Sequence, residues 1–351
     1  MNTKNNNLPN TVSVIGAGSW GTALAIALAE NINTVKLWGN VPEAMEELAR
    51  TRINEPYEIS QVLNDNIEVH VDLDEVINEE LCFLVVVPSH AFRPAIMQLC
   101  DAIQRAGKSP GDAKIVWGTK GLEPNTLELL STVANEVFGE NSTQAVLSGP
   151  SFAKETAAGQ PTAFTIASEN LDDAKALATW FKSDFTRPYV SDDIIGVQIG
   201  GAIKNVMAIA AGISSGLGYG ANASAALITR GLAEIIRLGV AMGAKPETFM
   251  GLSGIGDLML TSTDNQSRNR RFGYGIGQGR SKDKVINEIN QEIEGITTVK
   301  TAFELGQRIN IDMPITRQVY EIVHLGKSPK EAEHALLERE LTQENQGVSS
   351  S

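Results

Sequence analysis

The stretch Thr11–Glu30, TVSVIGAGSWGTALAIALAE, decides the fold class of this chain. It opens with a short β-type run, passes through the string GAGSWG at 16–21 and continues into an alanine-rich helical run. A G-x-G-x-x-G string between a strand and a helix is typical of dinucleotide binding, because its glycines allow a tight turn, close approach of a pyrophosphate and close helix–strand packing. We therefore expect Gly16, Gly18 and Gly21 to hold the phosphates of a dinucleotide at the start of this helix.

The remainder of the first half alternates strand-like and helix-like runs, as a doubly wound parallel sheet requires. Further β-type runs lie at 35–38, 67–69, 81–87, 114–117, 162–167 and 186–190, with helices predicted from about Ala91 and from Thr126. The run 81–87 is apolar on both faces, which is expected of a central parallel strand. The sequence predicts an α/β fold with an N-terminal Rossmann-type sheet in a dinucleotide-binding domain over residues 11–190.

Ligands of such sheets bind beyond the carboxyl ends of the strands. Three of these ends carry PSH at 88–90, GTKG at 118–121 and SGPS at 148–151. Lys120 is the only cation among them, and its alternative interpretation is an exposed loop lysine. His90 is the only histidine near this edge, so a His–Asp dyad of the kind found in other dehydrogenases would depend on it.

The end of the second strand normally shows which nicotinamide cofactor is bound. An acidic residue there holds the ribose 2′-hydroxyl of NAD, whereas an arginine accommodates the 2′-phosphate of NADP. Here the chain reads Gly39-Asn40-Val41, which has neither an acidic residue nor an arginine. Arg50 and Arg52, further along the chain, are distant candidates for binding a 2′-phosphate. The choice between NAD and NADP stays open.

From Ser191 the pattern becomes helical. The stretch SDDIIGVQIGGAIKNVMAIAAGISSG at 191–216 predicts a long buried helix with Ser191 as its N-cap. Lys204 shares a face with small apolar residues, and the neighbouring Gly200 and Gly201 indicate close approach of another segment. Lys204 either pairs with a buried carboxylate or is a catalytic ammonium with a pKa lowered by desolvation. The boundary near Ser191 predicts a helical substrate domain over residues 191–340.

A basic cluster, SRNRR at 267–271, stands out in a chain with a net charge of −13. Ser267 is a predicted N-cap, which places Arg268 and Asn269 in a first helical turn where backbone N–H groups face anions. The arginine fork matches a phosphate group. The alternative is a solvated basic face.

Two shorter polar segments add candidate partners. Asp257, within GIGDL at 254–258, is predicted to pair with Lys204, to accept a hydrogen bond from a substrate hydroxyl, or to cap a helix. The segment EIEG at 292–295 is a loop that could reach a cofactor, although a plain polar turn is favoured.

Composition narrows the functional classes. The chain has 351 residues, 42% hydrophobic and 20% charged, which suits two globular domains. Its negative charge argues against nucleic acid and anionic membranes as partners. Cys82 and Cys100 form no ligand pair, and no metal-ligand spacing or disulfide is expected. No apolar run approaches a membrane span and the polar N-terminal tail has no signal region, so the cytoplasm is expected. The NQGVSSS end is predicted to be frayed, and the apolar helices would allow a homodimer.

Taken together, these motifs resemble the bacterial NAD(P)-dependent glycerol-3-phosphate dehydrogenases. The resemblance rests on GAGSWGTA at 16–23, Lys120-Gly121, SGPSFA at 148–153, GAIKN at 201–205, GIGDL at 254–258 and SRNR at 267–270. These motifs follow the family's order and extend from about Thr11 to Leu336.

The resemblance implies a 6-phosphogluconate-dehydrogenase-like fold, in which an all-α C-terminal domain follows the sheet. It also implies reversible reduction of dihydroxyacetone phosphate to sn-glycerol 3-phosphate with NAD(P)H, for phospholipid synthesis. Lys204 resembles the family's proton donor and acceptor. The implied substrate-site residues are Lys120, Gly149, Ser151, Lys204, Asp257, Ser267, Arg268 and Asn269. The implied cofactor contacts, beside the three glycines, are Ser19, Trp20, Asn40, Lys120, Ala153, Arg268 and Glu294.

The chain departs from the family at two places. Many members carry a basic residue or histidine where Asn40 stands, and the family's Arg-Tyr-Leu-Pro-Gly loop is not recognisable in Glu55–Asn66. Two rival functions remain: a β-hydroxyacid dehydrogenase with a carboxylate substrate, and a dinucleotide sensor without turnover. A sensor needs no proton donor. It is therefore disfavoured by the presence of four candidate site residues together: Lys120, Lys204, Asp257 and Arg268.

Overall fold

The computed structural model describes residues 8–339, which divide into two compact units. Within this range, unit 1 comprises 8–119, Leu130–Leu147 and Ser151–Ile194, and unit 2 comprises Lys120–Leu129, Ser148–Pro150 and 195–339. Residues 1–7 of the predicted N-terminal tail and the predicted frayed NQGVSSS end lie outside the described residues. The domain limits 11–190 and 191–340 stay a prediction.

Unit 1 is built on one eight-stranded sheet. Its strands are β1 (Thr11–Ile15), β2 (Thr34–Trp38), β3 (Ile67–His70), β4 (Cys82–Val85), β5 (Lys114–Trp117), β6 (Thr143–Ser148), β7 (Thr162–Ala167) and β8 (Thr186–Ser191). The strand order is β3-β2-β1-β4-β5-β6-β7-β8. β1 runs parallel to both β2 and β4, so the order reverses at its carboxyl end, where such sheets bind ligands. The predicted doubly wound sheet is confirmed.

Helices connect these strands. They are α1 (Ser19–Ala29), α2 (Pro42–Thr51), α3 (Ser89–Arg105), α4 (Leu130–Phe138), α5 (Ala153–Ala157) and α6 (Leu171–Ala178). The helix predicted from Thr126 was placed too early and begins at Leu130. The reason is local: Leu127 has a positive φ of 64°, and its N–H donates to the Glu123 carbonyl in a turn.

The described part of unit 2 is helical. Its helices are α7 (Ile194–Gly216), α8 (Ala221–Ala241), α9 (Asp257–Thr263), α10 (Arg268–Gly277), α11 (Lys282–Ile289), α12 (Glu294–Arg308), α13 (Pro314–Leu325) and α14 (Pro329–Leu337). The N-cap prediction for Ser191 was wrong. Ser191 ends β8, and its hydroxyl accepts the Asp193 N–H at 3.1 Å in a turn before α7.

Helix α7 is the central helix of the unit 2 core. Its length and hydropathy would allow it to cross a membrane, contrary to the prediction that no apolar run approaches a span. However, 94% of its apolar 18-residue window is buried inside the protein. The composition is therefore explained by packing, because a helix enclosed by other helices is apolar nearly all round.

Candidate active site

The glycine-rich turn between β1 and α1 has the geometry that its sequence predicts. Gly16 has a φ of +117°, and a Cβ there would lie 2.3 Å from the Val86 carbonyl oxygen. A Cβ on Gly21 would lie 1.8 Å from the Gly16 carbonyl oxygen, so only glycine allows the helix to pack this closely. A Cβ on Gly18 would meet one atom within 4 Å, Cε1 of Tyr57, which leaves the rest of its face open. The turn therefore combines tight packing beneath with an open surface above, as a pyrophosphate site requires.

The other predicted cofactor residues of unit 1 occupy different surroundings. Ser19 begins α1 and donates its hydroxyl to the Tyr57 carbonyl at 2.8 Å. The indole N–H of Trp20 is buried and has no hydrogen-bond partner among the described residues. Asn40 is exposed between β2 and α2, and Ala153 begins α5. The indole N–H lies against Gly118, where an added Cβ would be 3.0 Å from the indole nitrogen. A buried donor without an acceptor fits a site that a polar ligand completes.

In unit 2, Lys204 lies at the centre of a buried polar cluster. Its ammonium donates to an Asp257 carboxylate oxygen and, at 2.9 Å, to the Thr261 hydroxyl. The Lys120 ammonium donates to the other Asp257 oxygen at 2.7 Å. The three charged side chains are 9%, 1% and 13% exposed for Lys204, Asp257 and Lys120, so one carboxylate bridges two ammonium groups away from water.

Burial dominates the protonation of this cluster. It lowers the pKa of Lys204 to about 7, and the charge of Lys120 acts in the same direction while Asp257 opposes both. For Asp257, burial works to raise the pKa, but the positive charges of Lys120 and Lys204 outweigh it and hold that pKa below its usual value. The lysine amine can therefore gain or lose a proton near neutral pH, whereas the carboxylate stays ionised.

The glycines of α7 explain how the lysine reaches this position. A Cβ on Gly200 would lie 2.4 Å from the Ser253 carbonyl oxygen, in the π-helical segment that leads into α9. A Cβ on Gly201 would lie 2.5 Å from the Ser148 hydroxyl oxygen. The prediction that other segments approach these glycines is confirmed, and the segment at Gly200 is followed directly by Asp257.

A second cluster surrounds the start of α10. The Ser267 hydroxyl accepts the Arg270 N–H at 3.2 Å, which confirms Ser267 as the N-cap and places Arg268 in the first turn. Asn269 donates its amide to the Asn205 side-chain oxygen at 3.0 Å and accepts the Gly295 N–H at 2.9 Å. This one side chain links α7, α10 and α12.

Glu294 is the first residue of α12. The prediction of a polar turn over EIEG at 292–295 was therefore wrong for residues 294 and 295, which are helical. Burial raises the pKa of the Glu294 carboxyl, while the positive charge of Arg268 works to lower it. The Arg268 guanidinium donates to the Gln291 side-chain oxygen at 3.4 Å. An acid in a first helical turn is favoured by the helix dipole.

The structure thus divides the predicted site residues between the units. Unit 2 contains Lys120, Gly149, Lys204, Asp257, Ser267, Arg268, Asn269 and Glu294. Unit 1 contains Gly16, Gly18, Ser19, Trp20, Gly21, Asn40, Ser151 and Ala153. Sequence reasoning missed Thr261 as a lysine partner and Asn205 as a partner of Asn269. Thr261 could have been found, because it lies four residues after Asp257 and therefore on the same helix face.

Fold and site together define a class of protein. A glycine-rich turn at the switch point of a parallel sheet is the mark of dinucleotide binding. A buried lysine with a pKa near 7 is suited to proton transfer. The class is that of the two-unit nicotinamide-dependent dehydrogenases.

Comparisons with known proteins specify the family. Residues 11–174 match the model of the NAD-dependent glycerol-3-phosphate dehydrogenase N-terminus, and residues 193–334 match the model of its C-terminus. The chain belongs to the NAD-dependent glycerol-3-phosphate dehydrogenase family.

Individual relatives agree with this family. The chain is 50% identical over 332 residues to glycerol-3-phosphate dehydrogenase [NAD(P)+] of Pseudoalteromonas translucida, a match that covers 94% of this chain and 97% of the relative. It is 50% identical over 330 residues to the protein of the same name from Thioalkalivibrio sulfidiphilus, again covering 94% and 97%. The crystal structure of glycerol-3-phosphate dehydrogenase from Coxiella burnetii aligns with a TM-score of 0.89 at 42% identity, covering 94% of this chain and 99% of that one.

Proposed function

We propose that this chain interconverts dihydroxyacetone phosphate and sn-glycerol 3-phosphate with NAD(P)H, and so supplies glycerophospholipid synthesis. Family membership supports the activity, since both relatives at 50% identity are named for it. The observation that carries the chemistry is the buried ion pair of Lys204 with Asp257. The β-hydroxyacid dehydrogenase alternative is weakened by the same comparisons.

Lys204 is the proposed acid and base. The nicotinamide, when bound, supplies or accepts the hydride at carbon. Reduction of a ketone leaves negative charge on its oxygen, and the Lys204 ammonium stabilises that charge and donates a proton to the same oxygen. In the reverse direction the neutral amine removes the hydroxyl proton. A pKa of about 7 serves both directions near neutral pH.

Asp257 and Lys120 position this amine. Asp257 accepts from both lysines, one on each carboxylate oxygen, and so fixes the direction of the Lys204 side chain. Thr261 adds a third constraint at 2.9 Å. The Lys120 charge favours the same developing oxyanion, because positive charge in a desolvated site is screened weakly.

The substrate phosphate is assigned to the start of α10. Arg268 lies in its first turn, where backbone N–H groups and the helix dipole attract anions. The Arg268 side chain offers a forked donor that matches phosphate oxygens. Gly149, Ser151, Ser267 and Asn269 are the remaining substrate contacts that the family resemblance implies.

The residues of unit 1 suit the dinucleotide. Gly16, Gly18 and Gly21 shape the pyrophosphate turn, and the unpartnered Trp20 indole N–H offers a donor. Ser19, Asn40 and Ala153 are proposed as further cofactor contacts. The family resemblance also implies cofactor contacts for Lys120, Arg268 and Glu294. The side chain at position 40 has no charge that would favour either NAD or NADP.

The direct experiment follows oxidation of NADH and of NADPH with dihydroxyacetone phosphate as the substrate. We expect turnover with at least one cofactor and none with 3-hydroxyacid substrates in the reverse assay. Absence of turnover with both cofactors would contradict the proposal. Turnover of 3-hydroxyacids in its place would favour the rival class.

Assembly and compartment form part of the proposal. A phosphorylated small molecule is the proposed partner, in the cytoplasm, and the apolar helices of unit 2 would support a homodimer. Light scattering of the purified chain measures the assembly, and a monomer at micromolar concentration would contradict the dimer.

A further inference from the structure

The segment Asn54–Glu58 lies against the glycine-rich turn of unit 1. The sequence assigns it no role, since the family's loop motif is not recognisable there. Asn54 is buried and its amide donates to the Ala17 carbonyl at 2.9 Å and to the Thr22 hydroxyl at 2.7 Å. These two bonds anchor the segment to both the turn and the first helix.

Tyr57 is placed over the open part of that turn. Its carbonyl accepts the Ser19 hydroxyl at 2.8 Å. Its ring atom Cε1 lies 4.0 Å from the position that a Cβ on Gly18 would occupy. Apart from Gly18 and its two chain neighbours, no other described residue has an atom within 4 Å of that position. The residue is 38% exposed, so much of its ring is available for contact.

Two further features hold the ring in place. Glu58 has a left-handed φ of 57°, and its N–H donates to the Glu55 carbonyl at 2.8 Å, which closes a short 3₁₀ turn around Tyr57. The Glu58 carboxylate pairs at 2.9 Å with Lys154, the residue after the proposed cofactor contact Ala153. The segment is therefore fixed at three points around the turn.

We infer that Tyr57 is a dinucleotide-binding residue whose ring packs against the pyrophosphate–ribose part of NAD(P)H at Gly18. The second glycine of this motif is the one whose backbone approaches the pyrophosphate, so a ring beside that glycine contacts the same part of the ligand. An aromatic ring supplies a large contact area and loses little conformational freedom. The inference rests on the proposed function and adds a residue to its cofactor site.

The test is a fluorescence titration with NADH, without any ketone. We expect Tyr57→Ala to raise the Kd about tenfold, as the loss of one aromatic contact predicts, and Tyr57→Phe to remain within about twofold. Tyr189→Ala is the matched control, because Tyr189 is 47% exposed on β8, at the opposite edge of the sheet from β3. The melting temperature of each variant reports folding.

A second probe, ADP-ribose, locates the contact. ADP-ribose lacks the nicotinamide but keeps the pyrophosphate and ribose that Tyr57 is inferred to contact. Tyr57→Ala should therefore raise the Kd for ADP-ribose by the same factor as the Kd for NADH. An unchanged Kd for NADH in a folded Tyr57→Ala variant would overturn the inference, as would a loss confined to NADH. If Tyr57→Ala does not fold, Tyr57→Leu takes its place, with roughly threefold or greater weakening expected and unchanged binding contradicting the inference. A wild-type chain that binds NADH but does not oxidise it with dihydroxyacetone phosphate contradicts the proposed function alone.

Discussion

Lys204 and Asp257 lie 53 residues apart in the chain and form an ion pair in which both side chains are at least nine-tenths buried. A buried lysine without a partner would be driven to its neutral form, whereas a fully neutralised pair would keep its proton at neutral pH. Here the single carboxylate is shared with Lys120, so Lys204 is only partly compensated and its pKa stays at about 7. The cluster thereby holds an amine that can both donate and accept a proton.

The first prediction concerns pH. The pKa of Lys204 in the folded protein is lowered from 10.5 to about 7, so the ammonium predominates below that pH and the amine above it. Reduction of the ketone needs the ammonium, and its rate should fall as pH rises through about 7. Oxidation of the alcohol needs the amine, and its rate should rise over the same interval. Steady-state rates in both directions, from about pH 5.5 to about pH 9, measure this, and parallel profiles would contradict it.

The second prediction concerns Asp257. Asp257→Asn removes the negative charge that opposes the effect of burial on Lys204, so the pKa of the amine should fall further. At a pH well above the pKa, each tenfold increase in the acidity of the ammonium lowers the protonated fraction about tenfold. We therefore expect reduction at about pH 8 to fall by at least about tenfold. The fall in the rate of reduction with rising pH should also occur at lower pH than in the wild type. A merely structural defect would not move this fall.

The matched control for this variant is Asp283→Asn, which alters an exposed aspartate in the first turn of α11. It should change neither the rate of reduction nor the pH at which that rate falls. If the rate of the Asp257→Asn enzyme fell at the same pH as that of the wild type, the carboxylate would not set the protonation of Lys204.

The third prediction concerns substrate phosphate. Arg268→Ala should raise the KM for dihydroxyacetone phosphate about 10- to 100-fold, the range expected when a charged hydrogen bond is lost. Arg268→Lys should recover part of this loss, because the charge is kept while the forked geometry is not. Arg317→Ala, at an exposed position on α13, is the control. An unchanged KM in Arg268→Ala would show that the phosphate binds elsewhere.

The fourth prediction concerns the packing that holds α7 in place. Gly200→Ala would bring a Cβ to 2.4 Å from a backbone oxygen, and we expect a loss of about 1–3 kcal/mol in the free energy of unfolding. Gly231→Ala is the matched helical control, since its Cβ would meet the flexible end of Met207. Gly231→Ala should lower the free energy of unfolding by less than Gly200→Ala does. Equal stability of both variants in urea unfolding would contradict the close-packing argument.

The sequence predicts local features well and long-range partners less well. The dinucleotide turn, the buried character of α7 and the Ser267 cap follow from residues that are neighbours in the chain. The bond from Lys120 to Asp257 joins residues 137 apart, and no periodicity encodes it. From the sequence, pairing with Lys204 was one of three roles open to Asp257, beside accepting a hydrogen bond from a substrate hydroxyl and capping a helix. The fold brings Asp257 to Lys204.

Helix ends were predicted least accurately, for physical reasons that differ by site. Ser191 has the residue type of an N-cap, yet β8 continues to it and α7 begins at Ile194. Glu294 follows polar residues that suggest a turn, yet it begins α12. Ser191 pairs with Ala167 of β7, which extends β8, and the Gly295 N–H in the first turn of α12 donates to the Asn269 side chain. Contacts with residues distant in the chain therefore outweigh the local preference in both places.

The central claim is tested most directly by the turnover of Lys204→Ala with dihydroxyacetone phosphate and the preferred cofactor at about pH 7. Removal of the proton donor should lower kcat about 10²- to 10⁴-fold, while Lys300→Ala, at an exposed position on α12, should match the wild type. An unchanged melting temperature would show that the variant is folded. A near-normal kcat in folded Lys204→Ala would contradict the assignment of this lysine as the proton donor.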